Sequence, residues 1–174
     1  FEKLVVKIVP EDSSRVAAMM AGQFDITHQF PAQFIATAKA APMLTVTAAK
    51  PNFQLLYFGF KTTRPMVADK RVREAMSIAI NRAEIATAIL LGNADPAFTI
   101  VDKDALDHDP KTASIVKEDI ERAKALLEEA GWTVQDGAMK NAEGRPFTFE
   151  IVLASGATET QSIVDIYVEA LKTI

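Results

Sequence analysis

Few side chains in this sequence have both the type and the spacing to do chemistry. Its two histidines, His28 and His108, stand far apart, and neither belongs to a spacing such as His-x-x-x-His that seats two imidazoles on one metal ion. Both read as loop or surface residues, and no metal or cofactor is expected. Ser155-Gly156 lacks the second flanking glycine of a nucleophile elbow, and no histidine is placed to serve it. Gly131, Gly137 and Gly144 fall at turns rather than in a phosphate-binding loop. Glu121, Lys124, Glu128 and Glu129 read as the solvated face of a helix, so no catalytic carboxylate pair is needed to explain them. No nucleophile–base constellation emerges, and an enzyme is not expected.

Two groups of residues invite a functional reading. Asp69, Arg71 and Arg73 cluster at a helix start, where an aspartate cap and surface ion pairs explain them as well as a site does. Phe58, Gly59, Phe60 and Lys61 are the candidate ligand-binding or hinge segment. A glycine flanked by aromatics lets backbone amides approach a ligand while the rings pack above and below it. The competing reading is that both phenylalanines simply fill core.

The elements that must position these residues follow from periodicity. Residues 4–9 are almost continuously apolar, as in a strand buried on both faces. A helix is expected over 12–23, with Val16, Met19 and Met20 on one face and Gly22 near its stop. A short extended piece at 25–27, a helix over 32–39 behind Pro31 and an alternating strand at 44–49 complete a β-α-β-α-β order. Residues 53–60 read as a long strand and 61–68 as a loop. Asp69 caps a helix over 70–81 whose inward face is Val72, Ala75, Met76 and Ala79, and a second helix runs over 82–91 to Gly92.

Residues 93–117 lack periodicity and are long for a structureless loop, which marks them as functional or packed on a partner surface. Asp119 opens the clearest helix, with Ile120, Ala123, Leu126, Leu127 and Ala130 at helical spacing and Gly131 at its end. A meander with turns at Asp136-Gly137 and Glu143-Gly144 leads to a returning strand over 147–153. A final helix over 159–172 turns Ile163, Ile166, Tyr167, Ala170 and Leu171 inward.

Composition narrows the partners. Of 174 residues, 49% are hydrophobic and 24% charged, with a net charge of −4 and no cysteine. The mild acidity and the lack of a Lys/Arg cluster argue against nucleic acid. The missing cysteines exclude disulfides, a thiol nucleophile and thiolate-built zinc sites. No apolar run reaches the roughly 18 to 20 residues of a membrane-spanning helix. The start at Phe1 and the stop at Leu171–Ile174 in mid-pattern lead us to expect a piece of a longer chain.

Four stretches carry a family likeness. Residues 6–26, "VKIVPEDSSRVAAMMAGQFDI", combine a strand, a proline turn, a helix of the form R-x-x-A-x-x-x-G and a closing D-I. Residues 56–82, "LYFGFKTTRPMVADKRVREAMSIAINR", place an apolar strand and a proline before D-x-R-V-R-x-A and end in A-I-x-R. Residues 119–132, "DIERAKALLEEAGW", fit D-x-x-x-A-K-x-L-L-x-E-A-G-W, and 147–171 fit the strand and helix that follow. With these motifs in this order, the chain resembles the family 5 extracellular solute-binding proteins, the peptide, oligopeptide and nickel receptors of ABC importers. Where that family usually ends its crossing strand in Phe-Asn-Thr, this chain has Phe60-Lys61-Thr62. A flexible cation replaces a neutral amide near the cleft. The Trp132 meander with "EGRPF" is closer to the branch that handles larger or modified peptides.

The resemblance implies an α/β fold, periplasmic binding protein-like type II, here a partial bilobal fragment with mixed sheets flanked by helices. Residues 1–57 would belong to the first lobe and 58–174 would open the second, with the crossover and hinge near 58–62. It further implies a non-enzymatic receptor that closes two lobes on a peptide-like solute and delivers it to an ABC permease in the membrane. Such a protein is periplasmic or otherwise extracytoplasmic, exported through a signal peptide outside these residues. The alternative is a sensor or regulatory domain that uses the same fold to read a solute.

Overall fold

A computed structural model of the chain describes residues 2–28, 30–48, 54–114, 117–154 and 158–174. Its elements are mostly helices whose start and stop signals are local. Helix α1 (Asp12–Met20) buries Val16, with Met19 and Met20 half-buried beside it, and the chain leaves it through Gly22 at φ 69°. Helix α2 (Ala32–Ala40) starts behind Pro31, which offers no capping side chain. A distant carboxylate takes that role: the Ala32 N–H donates to Glu159, at the start of the last helix, where the helix dipole favours a negative charge.

Residues 61–68, expected as a loop, close with one short helix, α3 (Pro65–Ala68), whose first position is the proline. Helix α4 (Lys70–Ile78) is capped by Asp69, whose Oδ1 accepts the Arg71 N–H at 2.8 Å. Hydrogen bonds from the Arg71 side chain and backbone, in that order, hold the Asp69 carboxyl below its ordinary value. The helix stops at Ile78 rather than near Asn81, because Asn81 caps the next one by accepting the Glu84 N–H at 2.9 Å.

That next helix differs from the expected continuous span over 82–91. It is a single turn, α5 (Arg82–Glu84), that widens into a π-helical turn over Ile85–Ile89, closed by Leu90 N–H donating to the Ile85 carbonyl at 3.2 Å. Leu91 (φ 50°) and Gly92 (φ 73°) then reverse the chain. Among the described residues of 93–117 there is one 3₁₀ turn, Pro110–Ser114.

Helix α6 (Ile120–Glu129) is capped by Asp119, whose Oδ1 accepts the Arg122 N–H at 2.9 Å. Asp136 and Gly137, both at positive φ, make the turn between strands β1 (Thr133–Gln135) and β2 (Ala138–Lys140). Their register pairs Val134 with Met139. Helix α7 (Thr158–Leu171) completes the chain.

The core lies where α4 packs on α6, with Tyr167 of α7 closing it. Val72, Ala75, Met76 and Ala79 meet Ala123, Leu126 and Leu127 there, the stripes that helical spacing marked. Trp132 stands edge-on to Phe147 at 4.9 Å and covers the end of this cluster beside the hairpin.

The expected strands are the main correction. Among the described residues the only sheet is the β1–β2 hairpin, and 4–9, 25–27, 44–48, 54–60 and 147–153 form no named strand. Residues 49 and 53 lie outside the described residues. The returning segment contributes only a bridge from Pro146 to Lys140 and a 2.8 Å bond from Phe147 N–H to the Met139 carbonyl. An apolar run favours a strand, but a ladder needs a partner backbone, which periodicity does not supply. Residues 4–9 illustrate the result: Leu4 is 84% and Ile8 89% exposed. The fold thus leaves apolar segments unpaired beside a well-packed helical core. No helix among the described residues is long and apolar enough to cross a membrane.

Candidate ligand-binding site along residues 54–61

The candidate segment runs over the helical core beside α7. Phe58 lies against Tyr167, ring centroids 4.2 Å apart and planes tilted by 39°, and both Phe58 and Phe60 are half-buried against the core cluster. Gly59 between them is exposed and avoids the left-handed region; a Cβ there would meet the Tyr57 ring at 3.6 Å, an ordinary contact. The fold therefore does not require glycine at this position. Lys61 is exposed and has no ion-pair partner among the described residues. The four residues are thus adjacent but chemically divided into two core-facing rings, one open backbone position and one solvated cation.

Two clefts adjoin the segment. One, of about 330 Å3, is lined by Gln54 to Phe58, by Arg82, Ile85 and Leu90, by residues 94–100 and by Tyr167. The other, of about 860 Å3, is lined by Leu56 to Lys61, by α3 and by residues 148–154, with Met76, Val164 and Tyr167 also contributing. Both walls are mostly apolar and aromatic, the usual character of sites that take organic solutes. Sequence reasoning overlooked the polar groups of the smaller cleft. Tyr167 read as core and Arg82 as a helix start, and only the fold brings them to one cavity with Phe98.

The other singled-out residues fall elsewhere. Arg71 pairs with Asp69 at 2.6 Å and donates to the Glu129 carbonyl at the end of α6, while Arg73 donates to the Val67 and Ala68 carbonyls at 2.9 and 2.7 Å. These bonds tie α3, α4 and α6 together; Asp69, Arg71 and Arg73 line neither cleft, although the Val67 that Arg73 holds lines the larger one. Glu121–Lys124 and Arg122–Glu129 are exposed ion pairs on α6, at 3.2 and 2.6 Å. His28 is exposed and His108 half-buried, and no cluster of three or more His, Asp or Glu able to hold a metal ion occurs among the described residues. Ser155 and Gly156 lie outside the described residues.

Two mostly apolar clefts beside a helical core are the geometry that comparison with known proteins can now be set against. All of residues 1–174 match the bacterial extracellular solute-binding proteins, family 5 Middle, and the chain belongs to that family. Its fold is the α/β type II periplasmic binding protein fold of its structural neighbours.

Among its relatives is the oligopeptide-binding protein AppA of Bacillus subtilis, 24% identical over 99% of this chain and 32% of its own length. The structure of AppA in complex with a nonapeptide superposes with a TM-score of 0.80, covering 95% of this chain and 33% of AppA. NikA from Brucella suis, solved in complex with Fe(III)-EDTA, superposes with a TM-score of 0.71 at 19% identity, covering 97% of this chain and 34% of NikA. The nickel-binding periplasmic protein of Escherichia coli is 22% identical over 95% of this chain and 32% of its own length. The chain spans about a third of the length of these relatives.

Proposed function

We propose that the protein containing this chain is the solute-capturing component of an ABC importer, taking up a peptide-like solute outside the cytoplasm and handing it to a membrane permease without chemical change. Residues 1–57 belong in this reading to a first lobe and 58–174 to the start of a second, with the crossover at 58–62. Phe58, Gly59, Phe60 and Lys61 then form the hinge and one edge of the ligand cleft.

The observation that carries the reading is the family match over the whole chain, together with two apolar clefts that adjoin this one segment. Physical chemistry supports the same residues. The exposed Gly59 leaves backbone groups open to a peptide's amides, the half-buried rings offer apolar contact, and Lys61 offers a charge. Aromatic and apolar walls suit peptide side chains better than a bare ion. Transport requires that ligand favour a closed form, and only differential affinity for the two forms can shift their populations.

Titration calorimetry of the full-length protein with a pool of random nonapeptides tests this. Saturable binding with a Kd of about 1 μM or tighter is expected. Absence of saturable heat with peptides, or release of cleaved fragments, would remove the reading.

A further inference from the structure

Tyr167, which lines both clefts, carries a polar group that its own surroundings leave unmet. Tyr167 is only 2% exposed, and its hydroxyl has no hydrogen-bond partner among the described residues. Native interiors rarely leave a buried hydroxyl in this state, because the lost bonds to water go unreplaced. Burial pushes the phenol well above its ordinary value, so the hydroxyl keeps its proton and remains a donor.

The charge beside it has a definite sign. Arg82 lines the smaller cleft and acts electrostatically on Tyr167. Its Nη1 donates to the Ser77 carbonyl at 3.1 Å, and its Cζ stands 5.9 Å from the Phe98 ring centroid. Burial lowers its proton affinity, yet a guanidinium stays charged in proteins. Among the described lining residues the acid is Asp95, at an exposed position, with an ion pair to Lys103 at 2.8 Å among its interactions. The rest of the lining is mostly hydrocarbon, with Ile85, Ala86, Leu90 and Phe98 among it, and Gln54, Ser77 and Thr99 add uncharged polar groups. A buried donor, a partly desolvated cation and an apolar lining converge on one space of about 330 Å3.

We propose that this cleft binds an apolar carboxylate, one oxygen of which accepts the Tyr167 hydroxyl beside Arg82 while its hydrocarbon part lies against Leu90 and Phe98. The inference rests on the solute-binding reading above and assigns it a chemical class. Such a carboxylate arises either as a free small acid or as the terminal residue of a peptide with an apolar side chain.

Three probes separate these cases in calorimetry on the full-length protein: 3-phenylpropionate, an acetylated tripeptide ending in phenylalanine, and the C-terminal amide of that tripeptide. Binding of the tripeptide acid at least about tenfold tighter than its amide is expected, as for a hydrogen bond to a charged group. Binding of 3-phenylpropionate as well points to free acids, and binding of the tripeptide acid alone points to peptide ends; either supports the proposal.

Tyr167→Phe supplies a signature that mere packing cannot. Removing an unmet hydroxyl should leave the melting temperature of the unliganded protein equal or higher, while affinity for the acid falls about tenfold to a hundredfold. A lower melting temperature with unchanged affinity would show that the hydroxyl is bonded within the full-length protein, and would overturn the proposal. If nonapeptides bind but acid and amide bind alike, the proposal fails and the solute-binding reading stands. If no peptide or acid binds, both fail.

Discussion

Leu126→Ala is expected to lower the free energy of unfolding by about 3 kcal/mol, the size typical of emptying a fully buried leucine site. Leu126 is 1% exposed and belongs to the cluster in which α4 packs on α6. Its neighbours in that cluster, Val72 and Ala75 on α4, sit on a helix anchored at its start by Asp69 and joined to Glu129 through Arg71. They have little freedom to collapse into the space left behind, so the cavity cost adds to the lost transfer energy. Leu106→Ala is the control, because that leucine is 108% exposed and its loss should stay within about 0.5 kcal/mol. Chemical denaturation reads both, as a fall in midpoint without a change of slope for Leu126→Ala. Equal effects from the two substitutions would mean that the α4–α6 contact is not the core.

Phe58→Ala is expected to act on stability and on binding together. Fully burying a phenylalanine contributes roughly 1.5 to 3 kcal/mol, and an aromatic pair about 0.5 to 1.5 kcal/mol more. The Phe58 ring meets Tyr167 at 4.2 Å but is only half-buried, which places the expected loss near about 2 kcal/mol. If the segment edges the ligand cleft, peptide affinity falls about tenfold as well. Lys61→Ala separates the two effects: its exposed side chain should cost under about 0.5 kcal/mol of stability, so lowered affinity in that variant reports the site alone. Unchanged affinity in both variants would remove the segment from the site and leave the phenylalanines as packing.

The helices were legible because their signals are local. Asp69 and Asp119 cap the helices their positions announced, Gly131 takes a positive φ of 87° beyond α6, and the apolar stripe of α4 faces the core. The Asp136-Gly137 turn was equally readable, since its two positive φ values suit that pair. The π turn after Glu84 was not: Ile, Ala, Thr, Ala and Ile carry no mark that separates a wide turn from an ordinary helix. The strands failed for another reason, because pairing depends on residues distant in sequence.

In the candidate site, the aromatic-glycine-aromatic run could be seen in the text. The unmet hydroxyl of Tyr167 could not, since helical spacing marks a tyrosine as inward without saying what its oxygen will face. The glutamate that serves α2 stood equally hidden, more than a hundred residues away in the chain.

In the proposed function these residues are parts of two lobes that move together on a peptide-like solute about a hinge near Gly59. The distance between spin labels placed by Lys39→Cys on α2 and Lys124→Cys on α6, in the full-length protein, tests it most directly, and this chain has no cysteine of its own to compete for label. With saturating nonapeptide the distance distribution should narrow and shift to shorter values. Identical distributions with and without bound peptide would contradict the account.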